Sequence, residues 1–149
     1  MYNLGERPPV VRYTYDFAEN VDQVFKGYLD KYKYNSMYEH SAIVDVEQQG
    51  DNVVCLTRRF KGAGTQQYDE KMCLNRDTYS MNNTLTFSER PWLPLEANRI
   101  FPNQGKATLE QAVFETRNKY QSTDDFKSGV RRILEIIKYD HYFFFCFFM

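Results

Sequence analysis

Between residues 40 and 117 the sequence falls into six runs that alternate apolar and polar side chains: HSAIVDVEQQ, VVCLTRRF, YDEKMCLN, TYSMNNTLTF, WLPLEANRIF and KATLEQAVFETR. Period two is the pattern of a strand with one face on a core. The runs are joined by GDN, KGAG, NRD, SERP and PNQG, which are turn chemistry. Strands in hairpin succession build an antiparallel sheet. Pro91 and Pro94 make the fifth run irregular or an edge strand.

The flanks add one strand and two helices. VVRYTYDF alternates cleanly after the stop signal Pro8-Pro9, with Val11, Tyr13, Tyr15 and Phe17 on one face. In AENVDQVFKGYLDKY, the residues Val21, Val24, Phe25, Tyr28, Leu29 and Tyr32 make one helix face. Gly27 weakens that helix by about 1 kcal/mol relative to Ala. STDDFKSGVRRILEIIKY is the last helix, burying Phe126, Val130, Ile133, Leu134 and Ile137. Ser122 or Thr123 can cap its start, Asp124 and Asp125 favour the dipole there, and Lys127, Arg131 and Lys138 share a basic stripe. The expected fold is α+β: about seven antiparallel strands, curved around an N-terminal and a C-terminal helix, with a pocket between them. One domain is expected over residues 1–138. Residues 139–149, with the apolar run HYFFFCFFM, are expected to stand apart as a tail too short to span a bilayer.

Aromatic residues make up 17% of the chain, which fits a bulky core or an aromatic-lined cavity. The formal net charge of -1 excludes a global attraction to nucleic acid, so any anion site must be local. Cys55, Cys73 and Cys146 match no zinc or CxxC spacing and are expected to be isolated, reduced thiols. The start, MYNLGERPPV, carries no apolar core of a secretory signal. Nothing resembles a P-loop, GxSxG or HExxH. A Cys55–His40 pair competes with Cys55 as a small packing residue. Glu110 and Glu115 fall on opposite faces of their strand, and Glu110 and Gln111 read as surface and strand-pairing residues. No enzymatic activity, cofactor or metal is expected.

The stretch LTRRFKG carries the one anomaly. Alternation puts Arg59 with Thr57 and Lys61 on a mixed face, but Arg58 with Val54, Leu56 and Phe60 on the apolar one. A buried guanidinium needs a partner. That partner is either an internal carboxylate or an anionic ligand.

In order along the chain, VRYTYDF, VFKGYLDKY, HSAIVDVEQQGDNVVCLTRRF, NNTLTFSERPWLPLEANRIFPN, ATLEQAVFE and FKSGVRRILEIIK resemble the PRELI-like domain over residues 10–138. The resemblance implies a helix-grip fold that holds one acidic phospholipid, of the phosphatidic acid or phosphatidylserine class, and transfers it between membranes. It implies transient contact with a membrane surface, a small twin-cysteine helical partner, no nucleic acid, and residence in the mitochondrial intermembrane space, with the cytoplasm as the alternative. It makes Arg58 the cation that meets the lipid phosphate, with Lys31, His40 and Lys127 as further polar or basic groups of the site. Two departures stand out. KGAGTQQ replaces the family's longer apolar membrane loop, and RNKYQST replaces its helical lid. The alternative is therefore a protein-interaction module that has lost transfer, with an exposed apolar edge near residues 60–70.

Overall fold

Antiparallel pairing sets Val53 opposite Asn75 and Phe60 opposite Tyr68, and the same local logic repeats strand by strand. In the computed structural model the described residues are 8–30, 41–61, 66–115 and 119–148, the last helix by backbone alone at 119–122 and 140–148. The strands are β1 (Val11–Asp16), β2 (Ala42–Gln49), β3 (Val53–Lys61), β4 (Gln67–Asn75), β5 (Ser80–Phe87), β6 (Pro94–Asn103) and β7 (Lys106–Val113). The helices are α1 (Val21–Asp30) and α2 (Lys119–Phe148). The strands form one antiparallel sheet in the order β1-β7-β6-β5-β4-β3-β2. Every hairpin from β2 to β7 joins neighbours, and β1 crosses back to pair with β7, Val11 opposite Val113.

Local chemistry explains the element ends. Gln104 and Gly105 both take positive φ, 53° and 79°, which gives the two-residue β6–β7 turn its mirror-image twist. Asn20 and Gln23 cap α1 reciprocally: Gln23 N–H donates to Asn20 Oδ1 at 3.0 Å, and Asn20 N–H to Gln23 Oε1 at 3.1 Å. β6 is irregular, as its prolines require, with a register shift between Leu85 and Thr86 of β5, yet it lies inside the sheet and not at an edge.

The core lies between the concave face and the helices. Phe17, Val21, Val24, Phe25 and Tyr28 pack with Met72, Met81, Ile100 and Leu109 of the sheet and with Phe126, Val130 and Ile133 of α2. Leu29, expected on the buried face of α1, is 39% exposed. Tyr32 lies outside the described residues.

Three expectations need correction. First, α2 begins at Lys119, so Ser122 and Thr123 lie within the helix and do not cap it. Thr123 Oγ1 instead hydrogen-bonds the Tyr13 hydroxyl at 2.9 Å. Second, α2 runs without a break past residue 138 to Phe148, so the aromatic stretch continues the helix. Third, Cys55 and Cys73 form a disulfide. The β3–β4 register sets the two directly opposite, with 4.0 Å between their Cα atoms. Cys55 is thereby unavailable as a nucleophile, and its cross-strand neighbour on β2 is Glu47. Among the described residues no helix is long and apolar enough to cross a membrane.

Candidate functional site on the concave face

Register and alternation place two polar rows on the concave face. One runs Arg58, Glu70, Leu85, Glu96 and Val113 across β3 to β7. The next runs Leu56, Met72, Asn83, Asn98, Gln111 and Tyr13 across β3 to β1. Arg58 is half-buried on this face, and its cross-strand neighbour is Glu70, only 2% exposed. Opposed side chains in an antiparallel pair lie about 5 Å apart at Cβ. The adjacent strand therefore sets a buried carboxylate opposite the arginine.

Glu70 ends a chain of amides. Gln111 Nε2 donates to Asn98 Oδ1 at 2.9 Å, Asn98 Nδ2 to Asn83 Oδ1 at 2.8 Å, and Asn83 Nδ2 to Glu70 Oε2 at 2.8 Å. Glu96 Oε2 accepts from Asn98 at 2.9 Å and from Gln111 at 2.8 Å. Asn83 Nδ2 also donates to the hydroxyl of Tyr28 on α1. Each amide turns its NH2 group toward a carboxylate oxygen of Glu70 or Glu96. One line of donation thus runs from Gln111 through Asn98 and Asn83 to Glu70, with side branches to Glu96 and to Tyr28. Asn83 and Asn98 are buried, so these bonds stand in low dielectric, where a satisfied network is rigid and a broken one costly.

Around the ladder the concave face turns aromatic. Tyr68 stacks with Phe60 at 5.7 Å between ring centres and lies 5.0 Å from Phe87. Tyr13 stacks on Phe126 of α2 at 5.0 Å. Tyr13, Tyr68, Leu85, Phe87, Glu96 and Gln111 are all half-buried, whereas Met81, Ile100 and Leu109 at the other end of the sheet are sealed under α1. The result is a partly open strip, apolar and aromatic at its sides, with a hydrogen-bonded polar floor. It can hold an apolar body and meet a polar head. Glu70 and Glu96 are two strands apart, about 10 Å, too far for an acid/base pair within hydrogen-bond reach.

Arg59 sits on the opposite, convex face and makes a two-pronged pair with Asp69, at 2.8 and 3.1 Å. The Arg59 hydrogen bond draws the Asp69 carboxyl below its ordinary range. Partial burial opposes this, and the Ser88 hydroxyl at 2.8 Å adds to it.

Of the residues expected at the site, Arg58 is the one on the concave face among those described. Lys127 is exposed on the solvent side of α2, beside buried Phe126. Lys31 and His40 lie outside the described residues. Glu110 pairs with Arg99 at 3.0 Å on the convex surface, as expected, but Gln111 is a member of the interior ladder and not a surface residue. Glu70, Asn83, Glu96 and Asn98 were not singled out from sequence. Glu70 and Asn83 are each a polar residue on an otherwise apolar face of its strand, the same signal that marked Arg58, while Glu96 and Asn98 stand together between Pro94 and Ile100 on theirs. Of the apolar edge expected near residues 60–70, residues 60–61 and 67–70 belong to β3 and β4, which are not edge strands, and residues 62–65 lie outside the described residues. Among the described residues, exposed apolar edge side chains are on β2, at Ile43, Val44 and Val46.

No protein-family model matches the chain, and no curated protein matches it. Among solved structures it is similar to the 18 kDa protein CC1736 from Caulobacter crescentus. Identity is 14% over 86% of this chain and 90% of that one, with a TM-score of 0.53. It is also similar to Ara h 8.0201, at 12% identity over 85% of this chain and 95% of that one, again with a TM-score of 0.53. Identities this low establish the fold alone. That fold is the helix-grip class: a curved seven-stranded antiparallel sheet with a long C-terminal helix.

Proposed function

We propose that this chain is a non-enzymatic lipid-binding protein that holds one amphipathic lipid between the concave face and α2. The observation that carries the reading is the half-buried strip of Tyr13, Tyr68, Leu85 and Phe87 beside a polar floor. Such a strip matches a ligand with an apolar body and one polar end.

The finer reading is an acidic phospholipid. Arg58 supports it, because it is a half-buried guanidinium on the concave face, and a guanidinium presents its donors as a planar fork that matches phosphate. The ordered resemblance to PRELI-like domains fits this reading. So does the Cys55–Cys73 disulfide, since such bonds persist in oxidising surroundings and the intermembrane-space placement supplies them. Glu70 and Glu96 accept amide hydrogen bonds, a positioning role that fits binding without chemistry.

The test is native mass spectrometry of the full chain after exposure to mixed phospholipid vesicles, beside Arg58→Ala. One bound acidic phospholipid, lost in the variant, is the expected result. Retention of the same lipid by a folded Arg58→Ala protein would reject the headgroup role. Absence of any bound lipid would reject the binding reading.

A further inference from the structure

The chain has one tryptophan, and Trp92 is 71% exposed. It stands in SERPWLP, between β5 and β6. Two successive hydrogen bonds close that segment: Arg90 N–H to the Phe87 carbonyl at 3.0 Å, and Leu93 N–H to the Arg90 carbonyl at 3.1 Å. Pro91 and Trp92 are thus the central pair of the turn Arg90–Leu93, with proline where its fixed φ favours the bend. The turn is braced from below. The Arg90 guanidinium lies 4.8 Å from the centre of the Phe87 ring and 3.6 Å from Glu115. Trp92 is presented at the apex of this hydrogen-bonded turn.

The apex belongs to one end of the sheet. Phe114 N–H bonds the Leu95 carbonyl at 2.8 Å, Val10 N–H bonds the Val113 carbonyl at 2.8 Å, and Ser88 N–H bonds the Gln67 carbonyl at 2.9 Å. Val10, 63% exposed, and Lys61, exposed and opposite Gln67, therefore share this rim with Trp92. Phe87 and Tyr68, at the open end of the concave strip, lie directly behind it.

We propose that the β5–β6 turn is a membrane-docking element whose Trp92 enters the interfacial layer of a lipid bilayer. Trp partitions to that layer because its ring is largely apolar and its indole N–H stays hydrogen-bonded. The feature projects and is not a groove, so it inserts into a partner and does not receive one. Docking here sets the open end of the strip against the bilayer, which gives the turn a purpose within the lipid-binding reading on which it rests.

Because Trp92 is the only tryptophan, its own fluorescence reports the contact. The full chain is titrated with vesicles of phosphatidylcholine and phosphatidic acid. Expected results are a blue shift of the emission, quenching by lipids brominated near the headgroup, and about tenfold weaker vesicle co-sedimentation for Trp92→Ala, as loss of about 1.4 kcal/mol gives. Loading of a short-chain monomeric phosphatidic acid, read by native mass spectrometry, stays unchanged in that variant. Unshifted emission with vesicles overturns the docking role, whether or not lipid is loaded. A shift that follows protein concentration without vesicles also overturns it, assigning the tip to a second copy of the chain. Docking without loading would uphold the turn's role and reject the pocket.

Discussion

Gly27 of α1 faces Ile133 of α2 so closely that a Cβ on it would stand 3.0 Å from Ile133 Cγ2 and 3.1 Å from the Ile133 carbonyl oxygen. Read from sequence, this glycine is only a weak point in a helix. In the fold it is the place where the two helices meet. Gly27→Ala gains about 1 kcal/mol of helix propensity but crowds a backbone oxygen that cannot rotate away. Overpacking costs about 1–3 kcal/mol, so the variant is expected to melt at a lower temperature than the parent. A raised melting temperature would mean that the helices part freely.

The amide ladder carries the second expectation. Asn98 holds Asn83, Glu96 and Gln111 together. Asn98→Ala takes the donor from the buried Asn83 Oδ1 and one hydrogen bond each from Glu96 and Gln111, and is expected to cost about 2–4 kcal/mol in urea unfolding. Gln111→Ala, at the half-buried end, is expected to cost clearly less. Equal losses would show that water repairs the interior break.

Peptide mapping without reduction is expected to recover Cys55 and Cys73 in one linked pair. Reduction removes a cross-link between residues 18 apart in sequence, which the chain-entropy account values at about 3 kcal/mol. The midpoint of unfolding should therefore fall on reduction. Free, alkylatable thiols at both positions in unreduced protein would refute the bond.

The Asp69 carboxyl titrates below its ordinary value because Arg59 hydrogen-bonds its charged form. A depressed acid stabilises the fold in full above the unfolded value, about 3.9. That contribution is lost as pH falls through the lower, folded value. Because the Arg59 side chain is 44% exposed, it amounts to a fraction of a kcal/mol. Asp69→Asn is expected to flatten the acid limb of the stability profile and to lower stability slightly at neutral pH. An unchanged acid limb would remove the pair from the account.

Asp125 behaves oppositely: although its residue is largely exposed, partial desolvation and then neighbouring Asp124 push its carboxyl upward. Asp125→Asn should stabilise at neutral pH, and the gain should vanish as pH falls below the ordinary aspartate value. A gain independent of pH would show that charge is not its cause.

The strands and α1 were legible because each announces itself within its own run of residues. VVCLTRRF and YDEKMCLN even contain the disulfide: laying the two eight-residue runs antiparallel, end to end, sets Cys55 opposite Cys73. Spacing rules for metals and redox motifs do not test that alignment, so the thiols read as isolated. The ladder was hidden for a different reason. Glu70 lies between Tyr68 and Met72, Asn83 between Met81 and Leu85, and Asn98 between Glu96 and Ile100, counting by twos along each strand. Each looks like one polar residue out of place. Only the register across β4, β5, β6 and β7 joins them, with Glu96 and Gln111, into one network. Helix α2 was misjudged at both ends, because Arg117–Ser122 and the all-apolar stretch after His141 lack the one-sided pattern by which a helix is recognised.

The pairing of Val11 with Val113 also imposes an order on events at the ribosome. The hairpins from β2 to β7 can close as soon as each pair of strands emerges. Strand β1 leaves first, yet its partner is synthesised about a hundred residues later. At about 5–20 residues per second the wait is about 5–20 s. Throughout it Tyr13, Tyr15 and Phe17 have no sheet to join, and the nascent chain presents an aromatic strand to whatever waits at the exit tunnel.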